Sequence, residues 1–200
     1  SRQLRVLNTN TRYLTDEAVN YAERLKATLD PSLDTVIFVN SGSEANDLAW
    51  RMAKVWTGKG GLVAMDFAYH GVTEASDAMS PSNYPAGKFM KPHVRQIEAP
   101  DDYRGPYRRG DNDLAGKYAA LIDPEIDALR QQGLGVALGI LDSAFMTNGI
   151  LDAPIGYVKS LVEKLHAAGG LFVADEVQSG FGRMAPAYWG HQHHGVTPDF

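Results

Sequence analysis

The order of apolar and polar positions along the chain predicts helices alternating with short buried strands. Residues 15–29 set Ala18, Ala22, Leu25 and Leu29 on one helical stripe, with Asp16 and Glu17 in the first turn, Thr15 as N-cap and Asp30-Pro31 as a stop. A stripe of that kind expects a packing partner. Thr35, Val36, Ile37, Phe38 and Val39 form an apolar, β-branched run that predicts a buried strand. Asn40 to Glu44 then turns the chain into a helix from Ala45 to Thr57, closed by Gly58.

The order recurs. Leu62–Asp66, Val94–Ile97, Val136–Asp142 and Leu171–Asp175 predict further strands. Helical patterns lie between them at Leu114–Gln132, restarted by Asp123 as N-cap with Pro124 at the first helical position, and at Ile155–Ala168, ended by Gly169 and Gly170. Near-continuous apolar strands alternating with helices predict an α/β fold: three layers, a mostly parallel sheet with helices on both faces. The stretch Ser80–Gly116 breaks the pattern with Pro, Gly, Tyr and mixed charge. Its carboxylates, interleaved with Arg104, Arg108 and Arg109, favour a solvated excursion over a surface that stacks on bases.

Composition narrows the function classes. Two hundred residues, 44% hydrophobic and 22% charged, supply one sizeable core and argue against disorder. The net charge of -5 argues against nucleic acid or an anionic membrane as the main partner, because counterion release needs clustered Lys and Arg. No window is apolar enough to span a bilayer, and Ser1 to Arg5 lacks the apolar core of a signal peptide. With no cysteine there is no disulfide, thiolate nucleophile or Cys-based zinc site; a reducing compartment, the cytoplasm, is the expected location.

In open α/β sheets ligands sit beyond the carboxyl ends of the strands, so the residues just after each strand carry the chemistry. Ser41, Gly42 and Ser43 lie between a predicted strand and a helix start. Free N–H groups and the helix dipole favour an anion there, as in a phosphate cradle. The alternative is a plain N-cap by Ser41 or Ser43. The segment lacks both the Walker A lysine and the glycine fingerprint of a dinucleotide fold, which disfavours a Rossmann dehydrogenase. After the next strand come Asp66, Phe67, Ala68, Tyr69, His70 and Gly71, an aromatic ring and an imidazole that either stack on a flat ligand or close a core edge. Asp142 ends a strand, where a turn-forming carboxylate is the simple reading.

The sharpest position is Asp175. A carboxylate at the end of a buried strand is costly without a cationic or hydrogen-bonding partner. It is followed by Glu176, Val177 and Gln178 and then a glycine-rich loop from Ser179 to Arg183, so burial against Arg183 for structural reasons is one alternative. His191, His193 and His194 show no spacing that completes a metal site, and no metal is expected.

Taken together, Asn40–Asn46, Tyr69–Gly71 and Asp175–Arg183, in this order and separation, resemble the class III pyridoxal-phosphate aminotransferases of fold type I. The resemblance covers nearly the whole chain. The opening Leu7–Leu14 and the extension Asn46–Arg51 look most like the branch that contains ethanolamine-phosphate phospho-lyase and its aminotransferase-like relatives. It implies pyridoxal 5'-phosphate as cofactor, with Gly42 and Ser43 on its phosphate, Tyr69 and Val177 on the two ring faces and Gln178 on the phenolic oxygen. Asp175 is the implied catalytic carboxylate, paired with the ring nitrogen, and His70 lines the ring edge. Arg12 and Tyr13 are the implied donors to a phosphorylated substrate.

Two departures stand out. The family usually places Glu where this chain has Asp142, which puts an inherited role there in doubt. The family's cofactor-bearing lysine follows a Pro-Asp-hydrophobic segment that here is Pro198, Asp199 and Phe200. None of Lys26, Lys54, Lys59, Lys88, Lys91, Lys117, Lys159 or Lys164 stands in its place. The expectation is therefore that residues 1–200 are a partial cofactor-binding large domain, inactive alone, without the catalytic lysine and small domain. The implied activity is transfer of an amino group from a primary amine or amino acid to an oxo acid, in a homodimer. One alternative is a phospho-lyase that eliminates phosphate from a phosphorylated amino alcohol. A non-catalytic α/β module that binds a phosphorylated ligand is another.

Overall fold

The computed structural model describes residues 5, 15–84 and 91–200 and forms two units, Ser1–Phe38 and Val39–Phe200. In the first unit the predicted helix is present as α1 (Asp16–Lys26), shorter than its apolar stripe. Thr15 holds the N-cap backbone position but its side chain makes no capping hydrogen bond, and none of the helix residues is buried, so neither the cap nor the packed stripe expected there is found. Past Lys26 the chain leaves the helix through single turns, with Thr28 and Leu29 N–H donating to the carbonyls of Leu25 and Lys26.

The strand expected at Thr35–Val39 does not form. A strand needs a ladder partner as well as apolar side chains. This run pairs with no strand among the described residues, and Ile37, Phe38 and Val39 are exposed. Phe38 instead stacks on Tyr21, with ring centroids 5.5 Å apart.

In the second unit four strands, β1 (Gly61–Met65), β2 (Val94–Ile97), β3 (Val136–Asp142) and β4 (Leu171–Asp175), form one sheet in the order β2-β1-β3-β4, every pair parallel. Alternation along β1 assigns the two faces. Leu62 and Ala64 point into a cluster with Ala49, Trp50 and Ala53 of α2 (Gly42–Thr57) and with Ala78 of α3 (Glu74–Ala78). Val63 and Met65 point the other way, against α4 (Leu114–Ala120), α5 (Asp123–Gln131) and α6 (Tyr157–Ala167). Helices therefore cover both faces of a parallel sheet, as the strand and helix pattern predicts. Gly139 lets α6 lie close, because a Cβ there would overlap Leu165.

The helix boundary at Asp123 differs from expectation. Ile122 is the N-cap and Asp123 the first helical residue, with Pro124 following. Its carboxylate is taken by Lys164, with Nζ 2.7 Å from Oδ2, and so is not turned onto the helix N–H groups. The stretch 98–113 is an excursion held to the body by Tyr118, whose hydroxyl donates to the carbonyls of Asp101 (2.6 Å) and Tyr107 (2.8 Å).

All four strands point the same way, so Met65, Ile97, Asp142 and Asp175 end on one rim of the sheet. The 16-residue α2 is about 24 Å long, and a seven-residue strand about 23 Å. A tight turn at Gly58, with φ of 66°, returns the chain from α2 into β1. The N-terminus of α2 is thereby brought to the same rim as the strand ends.

Candidate active site

At this rim a cleft of about 210 Å³ is lined by Gly42, Ser43, Tyr69, His70, Gly71, Asp142, Thr147, Asp175, Val177 and Gln178. All seven cleft residues singled out in the sequence for a cofactor line it together. Arg12 and Tyr13 lie outside the described residues. No described lysine lines the cleft.

Asp175 sits at the floor, 8% exposed. Its Oδ2 lies 2.8 Å from His70 Nδ1 and accepts from Asn46 Nδ2 at 3.0 Å, while Oδ1 accepts from the Val177 N–H at 3.1 Å. Burial alone would raise its pKa, but the His70 bond, then Asn46 and the Val177 N–H, bring it below the ordinary aspartate value. The structural alternative of an Asp175–Arg183 pair is not what the fold builds: Arg183 is exposed, and Asp175 takes its partners from α2 and from the loop after β1.

Asn46 is the residue sequence reasoning missed. It bonds both Asp175 and the carbonyl of His70 (2.8 Å), tying α2, the β1 loop and the end of β4 at one buried point. Its signal was available: a polar, weak helix former set on the apolar stripe between Ala45 and Ala49. His70 is fixed from behind, its N–H donating to Ser80 Oγ at 2.8 Å. Its Nε2 is buried without a hydrogen-bond partner among the described residues.

At the start of α2 the two serines divide the work. Ser41 is the N-cap, its Oγ accepting from the Glu44 N–H at 3.2 Å. Ser43 Oγ accepts from the Val72 N–H at 3.1 Å, which leaves its own proton free to donate into the cleft. Close approach is built in on both sides. A Cβ on Gly42 would stand 2.7 Å from Val177 Cγ2, and Gly71, at φ of 137°, has no room for a side chain against Ser43 and Ser76. Tyr69 and Val177 present apolar surface, 44% and 70% exposed. The cleft thus combines an anion-binding helix end, apolar walls and a buried carboxylate, a set suited to a flat heterocycle bearing a phosphate.

Asp142 is the strand-register neighbour of Asp175. It folds back on its own turn, accepting from the N–H groups of Ala144 (3.0 Å) and Met146 (2.9 Å). Burial, opposed by those two bonds and helped by the nearby Asp175 charge, raises its pKa. Of the histidines, His191 Nδ1 faces Glu176 at 3.0 Å and His194 Nε2 donates to the carbonyl of Ser143 at 2.8 Å; burial lowers the pKa of His194.

The family model for aminotransferase class-III matches residues 3–200. An alanine–glyoxylate aminotransferase 2-like protein of Drosophila melanogaster is 36% identical over 98% of this chain and 41% of its own length. Ethanolamine-phosphate phospho-lyase homolog 1 of Caenorhabditis elegans is 34% identical over 100% of this chain and 45% of its own. Among solved structures, a phospholyase from Arthrobacter in complex with phosphoethanolamine superposes with a TM-score of 0.88 at 37% identity, over 99% of this chain and 46% of that one. The taurine:2-oxoglutarate aminotransferase of Bifidobacterium kashiwanohense, in complex with PLP and glutamate, gives 0.81 at 25% identity, over 94% and 43%. The chain spans less than half the length of these relatives.

Proposed function

The chain belongs to the class-III aminotransferase family, and from that membership we propose that its cleft is the pyridoxal 5'-phosphate pocket of a transaminase acting on a primary amine or amino acid and an oxo acid. The observation that carries the reading is Asp175, a buried carboxylate kept below its ordinary pKa at the floor of a cleft whose mouth is a helix N-terminus.

The residues fit the cofactor. A Cβ at Gly42 would collide with Val177 and one at Gly71 with Ser43 and Ser76, so these two glycines let the start of α2 and the loop after β1 close in beside main-chain N–H groups and the Ser43 hydroxyl, as a tightly held phosphate requires. Bound there, the cofactor would supply an electron sink for the α-carbon of the amine. Gly42 and Ser43 hold its phosphate by charge-assisted hydrogen bonds. Tyr69 and Val177 enclose the ring and exclude water from its faces. Asp175 holds a proton at the ring nitrogen, and Gln178 donates to the phenolic oxygen. His70 and Asn46 keep Asp175 ionised and aimed.

A second reading, a phospho-lyase acting on a phosphorylated amino alcohol, is favoured by the likeness to the Arthrobacter phospholyase and the Caenorhabditis elegans homologue. The pocket residues serve both reactions, and the choice rests with substrate contacts such as those expected of Arg12 and Tyr13. The activity is proposed for the full-length protein as a cytoplasmic homodimer, to which these residues contribute part of the cofactor-binding domain.

The deciding experiment supplies the full-length protein with pyridoxal phosphate and candidate amines, and follows oxo-acid-dependent amine transfer beside release of inorganic phosphate. Transfer without phosphate release supports the transaminase; phosphate release from a phosphorylated amine without an oxo acid supports the lyase. Asp175→Asn should lower either rate at least about a hundredfold with the fold intact. Full activity in that variant would overturn the pocket assignment.

A further inference from the structure

Glu176 stands between two cleft residues, Asp175 and Val177, yet its own side chain turns away from the cleft. Its carboxylate, 14% exposed, collects five donors. Oε1 accepts from the His191 N–H (2.8 Å), His191 Nδ1 (3.0 Å) and Ser143 Oγ (3.3 Å). Oε2 accepts from Ser179 Oγ (2.6 Å) and the Gly190 N–H (2.8 Å). One side chain therefore joins the turn after β4, the end of β3 and the short helix α7 (Gly190–His193). Burial would raise its pKa, but the bonds from His191, Ser179 and the two main-chain N–H groups outweigh that and hold it at about 2.

Beyond the Val177 N–H donating to Asp175 Oδ1, no side-chain hydrogen bond among the described residues anchors Val177 or Gln178. Val177 is 70% exposed and Gln178 is exposed, so burial does little to fix them. Their place follows from the turn, which is closed by the Gly180 N–H donating to the Glu176 carbonyl at 2.9 Å. The turn is also seated tightly: a Cβ on Gly190 would stand 2.6 Å from the Cβ atoms of both Ser143 and Ser179, and one on Gly180 would meet the Trp189 ring at 2.9 Å. On its cleft side, Val177 packs directly over Gly42.

We propose that Glu176 is a positioning residue of the pocket: by gathering Ser143, Ser179, Gly190 and His191 onto one carboxylate it sets Val177 and Gln178 against the N-terminus of α2. This rests on the reading of the cleft as a pyridoxal-phosphate site. A mere loop staple would contribute stability alone. A positioning residue also governs how a bound ring is held, because the wall it supports is otherwise open.

The test uses the full-length protein and three variants, Glu176→Gln, His191→Leu and His191→Asn, the last of which keeps a donor near the position of Nδ1. Affinity for pyridoxal phosphate, visible circular dichroism of the bound cofactor and amide hydrogen exchange over residues 176–180 without cofactor are measured where every variant is folded. Glu176→Gln and His191→Leu should weaken binding by about tenfold, diminish the dichroic band and speed exchange at Val177 and Gln178; His191→Asn should restore all three. If Glu176→Gln does not fold, the two His191 variants carry the comparison. Unchanged affinity and dichroism in the variants overturn the proposal. A parent protein that shows no dichroic band with pyridoxal phosphate overturns the pocket reading instead, and in that case unchanged exchange over 176–180 overturns the role of Glu176 on its own.

Discussion

His70 Nδ1 stands 2.8 Å from Asp175 Oδ2 with its side chain wholly shielded from solvent, so the carboxylate at the floor of the cleft is held by a neighbour 105 residues away in the chain. His70→Phe leaves burial to dominate Asp175. In the parent, Asp175 lies below its unfolded value of about 3.9, so its ionised form contributes stability that is complete above that value and lost as pH falls through the folded pKa. In the variant the folded value rises above the unfolded one, and the carboxylate destabilises the fold increasingly as pH climbs past 4. The expected loss is about 2 kcal/mol at neutral pH. Thermal denaturation at pH 4.5 and 7.5 should show the wider gap between parent and variant at pH 7.5; a gap independent of pH would contradict the assignment.

Gly42 and Gly190 make a contrasting pair. A Cβ on Gly42 meets the methyl of an exposed valine, whereas one on Gly190 meets Cβ atoms of two buried serines, Ser143 and Ser179. Gly42→Ala should therefore change the unfolding free energy by less than about 1 kcal/mol, since alanine favours the helix, but displace Val177 into the cleft. Its signature is weakened binding of pyridoxal phosphate at near-parent melting temperature. Gly190→Ala should cost about 1–3 kcal/mol, because the buried neighbours must shift. Equal melting temperatures for the two variants would argue against the packing described.

Much of this was legible from the chain, and the limits have physical causes. Asp175 announced itself because a charge ending an apolar strand needs a partner, but the partners come from 105 and 129 residues away, and no local pattern encodes which residues a fold brings there. The parallel sheet followed from apolar runs between helices, whereas Thr35–Val39 showed the same side-chain signature without a ladder partner among the described residues. Strand propensity reports side chains that fit a pleated surface; it does not report an available edge. Asp123 and Ser43 have good capping chemistry, yet the caps fell to Ile122 and Ser41, since Lys164 and the Val72 N–H engage the first two. Glu176 was invisible for the opposite reason, as a polar residue after a strand is by default solvated.

Glu176 makes a pH prediction distinct from that of His70. With its folded pKa at about 2, well under the ordinary glutamate value of about 4.3, its contribution is complete above the ordinary value and drains away as pH falls from there toward 2. Glu176→Gln removes that dependence. The difference in melting temperature between parent and variant should be constant from pH 7 to 5 and shrink toward pH 3. Comparing each with the parent isolates Glu176 from Asp175, whose contribution falls in a similar window. A difference that grows on acidification would require a folded pKa above the unfolded one, the reverse of what the five donors impose.

Ser41 and Ser43, two residues apart, should separate stability from binding. Ser41 Oγ accepts from the Glu44 N–H, so Ser41→Ala removes a helix cap and should cost about 1 kcal/mol with little effect on the cleft. Ser43 Oγ instead accepts from the Val72 N–H, and its own proton is the donor proposed for the phosphate at the rim lined by Gly42 and Gly71. Ser43→Ala leaves the cap in place and should weaken pyridoxal phosphate by about tenfold, the worth of one hydrogen bond to a charged group. Pyridoxal, which lacks the phosphate, is the control. Its binding to the Ser43 variant should change little, because the contacts proposed for the ring are Tyr69, Val177 and Asp175. Equal weakening of both ligands would mean that Ser43 acts on the ring or on the fold, and the phosphate would then have to be sought elsewhere on the rim.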